Sequence, residues 1–211
     1  SAGRRVELVE SFKKEGRKLN KDLKVVCIDL IPELSPACQI ADLYFRAPRV
    51  SSQKYISFLK QICADNSIAL IIPSIDTELL ILSEHREEFL KLGVNIIISE
   101  KSRIQACRNK NHTADVLNNI EIETPAIYNV NNLNYPCFVK PYDGSCSVGA
   151  FALKEKSMLT RDILDNPKNM YMELVPENYD EYTVDVYYDK FGILKSLVPR
   201  LRIETRAGEI S

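Results

Sequence analysis

Three short apolar runs in the first hundred residues constrain the fold most: "KVVCIDL" (24–30), "IALIIPS" (68–74) and "VNIIIS" (94–99). Each is rich in Val and Ile and too short for a helix. Runs of this kind fit strands buried on both faces, as in a parallel sheet. The segments between them carry helical periodicity. Tyr55, Phe58, Leu59 and Ile62 fall at i, i+3, i+4, i+7, and Leu79, Leu82 and Phe89 share a second stripe that Arg86 interrupts. Ser74 and Asp76 stand where a cap would open that second helix. The opening "RRVELVESFKK" places Val6, Val9 and Phe12 on one face. Residues 1–100 therefore read as helix and strand in alternation, a doubly wound α/β domain. The pattern begins on a helix, and "SAGRR" has the character of a strand-to-helix turn whose strand is missing from the chain as given.

From about residue 101 the texture changes. "KSRIQACRNKNHTADVLNN" reads as an interrupted polar helix, and the Pro of "IETPAIYNV" ends helical structure. Short strands are expected at 136–141, 149–154 and 170–175, with a helix near 157–165 carrying Leu159 and Ile163. "EYTVDVYY" and "ILKSLVPRLRIE" flank "DKFG", a hairpin signal with Gly at the turn. This half is α+β and mainly antiparallel.

Composition narrows the function. With 211 residues, a net charge of −1 and 45% apolar residues, the chain lacks the basic footprint of a nucleic-acid or membrane-surface partner. No run approaches the ~20 apolar residues of a membrane helix, and no secretory signal opens the chain. Six cysteines occur without a C-x-x-C, beside two histidines, so no metal site is assigned. Such cysteine usage fits a reducing, cytoplasmic compartment. Cys146 lies in a Gly/Ser loop with no neighbouring His to activate it, and reads as a loop residue rather than a nucleophile.

That loop belongs to "CFVKPYDGSCSVGAFALK" (137–154). Gly144 and Gly149 permit tight turns, Ser145 and Ser147 offer hydroxyl donors, and Lys140 precedes them on a strand. The segment suits a phosphate site, although a plain hairpin with a surface lysine has the same composition. It is followed by "MYMELVP", with Glu173 as its only charge, and by "EYTVD", with Glu181. Arg200 and Arg202, in "VPRLRIE", are spaced to share a strand face, as a site for an anionic group would require, or as a surface pair would have them. Asp76 and Glu78 follow the end of a parallel strand, where open sheets bind ligands, and Asp76 equally suits a helix cap.

The succession of lysine strand, Gly/Ser loop, strand and acidic strand resembles the ATP-grasp superfamily. "SAGRRVELVESF", "IDLIPELSPACQIADLYFRAPRV" and "IIPSIDTELLILSEHREEF" look like the pre-ATP-grasp domain of proteins similar to the carbamoyl-phosphate synthetase large chain. "RNKNHTADVL" with "TPAIY" looks like the segment joining that domain to the nucleotide lid. The resemblance implies a Rossmann-like parallel-sheet domain over 1–100. It implies an antiparallel ATP-grasp lid over 101–175, and the start of the second grasp subdomain over 176–211. It implies that Lys110 and Lys140 meet the nucleotide phosphates and that Gly144, Ser145, Ser147 and Gly149 belong to a mobile loop closing over them. Glu173, Leu174 and Val175 would read the adenine, Glu181 the ribose hydroxyls, Arg200 and Arg202 the transferring phosphoryl group, and Asp76 and Glu78 the acceptor substrate. Asn109 stands where relatives usually carry Asp. The activity implied is ATP-dependent ligation of a small carboxylate to an amine or thiol through an acyl phosphate. The Mg2+ ligands are expected beyond residue 211, so the chain as given is expected to be inactive alone; a homo-oligomer is compatible. A non-catalytic nucleotide-binding module is the alternative. A dinucleotide-dependent oxidoreductase would need G-x-G-x-x-G after a strand, and "SAGRR" supplies one glycine.

Overall fold

The computed structural model describes residues 2–145, 147–176, 178–203, 205–206 and 209–210. The chain divides into two compact units, residues 1–105 and 106–211.

In the first unit, helix α1 (Val6–Lys18) turns Val9 into the core, with Val6 and Phe12 half-buried beside it, as their spacing predicts. The turn ahead of it is held at Gly3, where φ is +50°. The Gly3 amide donates to Asp29 Oδ2 (3.0 Å), and its carbonyl accepts from Ser35 Oγ (2.9 Å). Strand β1 (Val26–Asp29) and helix α2 (Pro36–Ile40) follow, then β2 (Leu43–Arg46), parallel to β1 in the register Val26↔Leu43 to Asp29↔Arg46. The periodicity of the sequence does not announce β2. "LYFR" is short and ends on a charge, and it is mostly exposed along one edge of its sheet, so it never needed a continuous apolar run.

Helix α3 (Tyr55–Asp65) buries Tyr55, Ile56, Leu59 and Cys63. Strands β3 (Leu70–Ile71) and β4 (Asn95–Ile96) are parallel, and between them the expected single helix is two, α4 (Asp76–Glu84) and α5 (Arg86–Lys91), broken at His85. Leu82 and Phe89 from the two helices meet Tyr55, Leu59, Val94 and Ile96 in the largest core cluster. Arg86, the odd residue on that stripe, reaches outward to Glu100 Oε1 (2.9 Å). The parallel pairing is as the sequence predicts. Among the described residues it takes the form of two separate two-stranded sheets rather than one continuous sheet. Pro73 follows closely on β3, which is two residues long, and proline has no amide to extend a ladder.

The chain passes to the second unit within α6 (Lys101–Arg108), and Asn109 in extended conformation separates it from α7 (Lys110–Asn118). Strands β5 (Ile127–Tyr128), β6 (Cys137–Pro141) and β7 (Phe151–Leu153) lead to a short helix α8 (Arg161–Leu164) and strand β8 (Asn169–Glu173). These strands form an antiparallel sheet ordered β5-β8-β6-β7. Cys137, Val139, Leu153 and Tyr171 are its buried face, with Leu159 and Ile163 packed against them. The hairpin β9 (Tyr182–Tyr188) and β10 (Leu194–Leu201) turns at Gly192, where φ is +74°. Asp189 Oδ1 accepts from the amides of Phe191 (2.9 Å) and Ile193 (3.0 Å), closing the turn that "DKFG" predicts. Both hairpin strands are almost wholly exposed.

Candidate functional site

The second unit gathers the expected phosphate-binding residues around the end of β6. Strand alternation puts Cys137 and Val139 in the core and turns Phe138 and Lys140 to the other face. Lys140 is half-buried. No acid pairs with it among the described residues, and its ammonium is held below the ordinary lysine range, first by burial and then by the neighbouring charge of Lys110.

Lys110 is the first residue of α7. The Asn109 side chain caps that helix, its Oδ1 accepting from the amides of Asn111 (3.1 Å) and His112 (3.3 Å). Asn in place of Asp therefore keeps the cap. The Lys110 amide donates to the Tyr142 carbonyl (2.9 Å), and its Nζ donates to the carbonyl of Gly144. The loop after β6 is thus joined to the start of α7 through main chain and side chain together.

The loop itself runs through consecutive turns. Val148 N donates to Ser145 O (3.2 Å) and Ala150 N to Ser147 O (3.2 Å), with positive φ at Ser147 and Gly149. A Cβ on Gly149, at φ +73°, would stand 3.2 Å from Pro141 Cγ. Asp143 pairs with Lys168 Nζ at 2.7 Å, and Lys168, ahead of the Lys110 charge, holds the carboxyl below its usual range. Cys146 lies outside the described residues. Lys110, Lys140, Gly144, Ser145, Ser147 and Gly149 thus lie at one loop, and neither ammonium has an acidic partner among the described residues.

The other expected residues lie elsewhere. Glu173 ends β8 and holds β5: its amide donates to Ala126 O (2.8 Å), and its Oε2 accepts from Ala126 N (3.1 Å). Leu174, half-buried, and Val175, exposed, follow the strand. On the hairpin, Glu181 is ion-paired with Arg202, and Arg200 with Asp185 (2.6 Å). Both arginines therefore carry a carboxylate partner, because Thr183 and Tyr182 on β9 are in register with Arg200 and Leu201 and bring their acidic neighbours close.

In the first unit, Asp76 borders an open depression of ≈ 410 Å³ lined by Arg5, Leu8, Pro73, Ser74, Ile75, Asp76 and Leu79. Ile75 is the cap residue of α4, and its side chain makes no capping bond. Glu78 is only 4% exposed. Its Oε1 accepts from Tyr55 OH (3.1 Å) and its Oε2 faces the Ser74 amide (3.4 Å). The Glu78 carboxylate is thereby bonded within the core. Lys168 and Asp143 were not legible as site residues, because only the sheet order brings the start of β8 beside the end of β6.

No group of three His, Cys, Asp or Glu side chains converges on a metal position among the described residues, and none of their helices is long and apolar enough to cross a membrane.

Residues 1–97 match the family described as "PylC-like, N-terminal domain". No curated protein matches the chain. Among solved structures, it is similar to the biotin carboxylase domain of Hydrogenobacter thermophilus 2-oxoglutarate carboxylase, crystallised with MgADP, ADP and bicarbonate (TM-score 0.71, 15% identity, covering 99% of this chain and 51% of that one). It is similar to Staphylococcus aureus N5-carboxyaminoimidazole synthetase in complex with ADP (TM-score 0.68, 17% identity, 100% and 55%). It is also similar to the L-amino acid ligase of Bacillus licheniformis (TM-score 0.66, 16% identity, 92% and 47%). The chain spans about half the length of these three proteins. The resemblance to the ATP-grasp superfamily thus holds at the level of the fold. None of the three is a carbamoyl-phosphate synthetase.

Proposed function

We propose that this chain is the ATP-binding portion of an ATP-dependent ligase that joins a small carboxylate to an amine or thiol. The observation that carries the reading is the pair Lys110 and Lys140, brought together at one loop, with the second half-buried and lacking an acidic partner among the described residues. A cation kept out of water without a counter-ion is disfavoured unless an anion completes the site. The neighbours named above include complexes with ADP and MgADP, which supports a nucleotide as that anion.

In this reading Lys140 and Lys110 neutralise the phosphate tail, and Ser145 and Ser147 with the loop amides between Gly144 and Gly149 wrap it. Leu174 and Val175 line the base, with Glu173 fixing the strand end from which they emerge. Glu181 would take the ribose hydroxyls and Arg200 and Arg202 the transferring phosphoryl group, each after exchanging its present ion-pair partner. Asp76, at the depression in the first unit, would face the acceptor substrate. ATP supplies the phosphoryl group: the substrate carboxylate oxygen attacks it, ADP leaves, and the acyl phosphate formed is attacked by the amine or thiol with loss of phosphate. The acids described above do not converge on a Mg2+ position. Residues 1–100 would be the pre-ATP-grasp domain, 101–175 the lid and 176–211 the start of the second grasp subdomain. The closer likeness to carbamoyl-phosphate synthetases and a cytoplasmic location belong to the same proposal.

The test is ATP titration of the full-length protein, followed by ADP and phosphate release with a panel of carboxylates paired with amines or thiols. Binding with turnover on some pair supports the ligase. ATP binding without turnover on any pair favours the non-catalytic nucleotide-binding module, and absence of ATP binding overturns both.

A further inference from the structure

We propose that Lys168 is a positioning residue for the nucleotide site: through its ion pair with Asp143 it holds that carboxylate away from Lys110, one of the two lysines on which phosphate would sit. The proposal rests on the ATP-binding reading above and deepens it.

Asp143 is an exposed residue at the start of the loop. The residue after it offers its carbonyl to Lys110, and Lys140 lies three positions before it. A carboxylate so placed is a natural counter-ion for Lys110, whose charge already acts on it. The Lys110 ammonium is nevertheless turned to the Gly144 carbonyl, and Asp143 is engaged by Lys168 Nζ at 2.7 Å. The main chain prepares that choice. Tyr142 N donates to Lys168 O (2.9 Å), bringing the start of β8 beside the loop, while Tyr142 O accepts from Lys110 N (2.9 Å) on the opposite side. Asp143 therefore stands between two cationic directions, and Lys168 draws it outward.

Carboxylate and phosphate compete for the same ammonium groups. Without Lys168, Asp143 is left with the charge of Lys110, and a nucleotide must displace it from that lysine before binding. With Lys168, the site is held open and keeps its charge for an incoming anion. The role is indirect, because Lys168 acts through the residue it restrains.

The experiment is calorimetric titration of the full chain with ATP, comparing wild type with K168M, K168R, D143N and the double variant K168M/D143N. Thermal unfolding confirms that each variant folds. K168M is expected to raise the Kd for ATP about threefold or more, the scale on which an exposed ion pair acts. K168R is expected to match wild type. D143N, which removes the competing charge, is expected to bind ATP at least as tightly as wild type. The double variant is expected to return to the D143N value. A double variant as weak as K168M overturns the proposal, because Lys168 would then act on the nucleotide directly. Wild-type affinity in K168M, or K168R as weak as K168M, overturns it as well. Lys168→Gln replaces K168M should the methionine variant fail to fold, and is read in the same way. Failure of wild type itself to bind ATP overturns the nucleotide reading and this one together, a result distinct from the variant patterns.

Discussion

Lys140→Met separates a phosphate-binding lysine from a structural one. Methionine keeps the length and apolar stem of the side chain and removes the charge. Hydrogen bonds to charged groups contribute about 1.5–3 kcal/mol, or about tenfold to 150-fold in affinity. Lys140 is only half-buried and Lys110 remains beside it, so the lower part of that range applies, about 10- to 40-fold in the Kd for ATP. Stability should move the other way. Burial and the Lys110 charge both disfavour the ammonium in the folded chain, so its loss should stabilise by about 0.2–1 kcal/mol, the screened range for a partly exposed group.

The pH dependence follows from the sign of that effect. The folded lysine releases its proton below the ordinary value of 10.5, so the unfolded chain binds more protons between the lowered value and 10.5. Wild type therefore gains stability across that alkaline window, whereas its penalty is fully present at neutral pH. The gap between K140M and wild type should be widest near pH 7 and close above the window. Isothermal titration with ATP and urea unfolding at pH 7 and pH 10 measure both. Wild-type affinity in K140M, or a loss of more than about 1 kcal/mol in stability at pH 7, would refute the reasoning.

Leu82→Ala should cost about 2–5 kcal/mol of unfolding free energy, because the side chain is 1% exposed in the cluster with Tyr55 and Phe89; urea denaturation measures it. Gly149→Ala should destabilise by about 1–2 kcal/mol, since the residue holds φ +73° and the new methyl would press on Pro141; an unchanged unfolding midpoint would show that the loop accommodates it. Asp42 accepts from Lys13 (2.8 Å) and from the Val25 amide (2.7 Å), which hold its carboxyl below 3.8. Its contribution is present above that value and is lost as pH falls through the lowered one, so Asp42→Asn should flatten the acid limb of the stability curve and leave stability below that limb unchanged.

The alternation of helix and strand, the antiparallel second half and an interrupted helix over 101–119 were legible because each has a local cause in periodicity or β-branched runs. Strand β2 was not, since an exposed edge strand has no apolar run to reveal it. Glu78 shows a different limit: an acid after a parallel strand has the same sequence context whether it faces solvent or, as here, a buried tyrosine hydroxyl. Lys140 could be named from its place ahead of the Gly/Ser loop, and Lys110 only through the family resemblance. That Asp143 turns to Lys168 depends on a pairing between the loop and the start of β8, which no spacing encodes.

The order β5-β8-β6-β7 has a consequence for how the protein is made. Strands β6 and β7 can pair as soon as the loop between them emerges. Strand β8 must later enter between β5 and β6, joining Ala126 to Glu173 across a separation of 47 residues. Until then Lys168 is not beside Asp143, and the edges of β5 and β6 stand open. A nascent chain paused before Glu173 would present two unsatisfied sheet edges to solvent. It is at this stage of translation, rather than after release, that the protein is most exposed to misassembly.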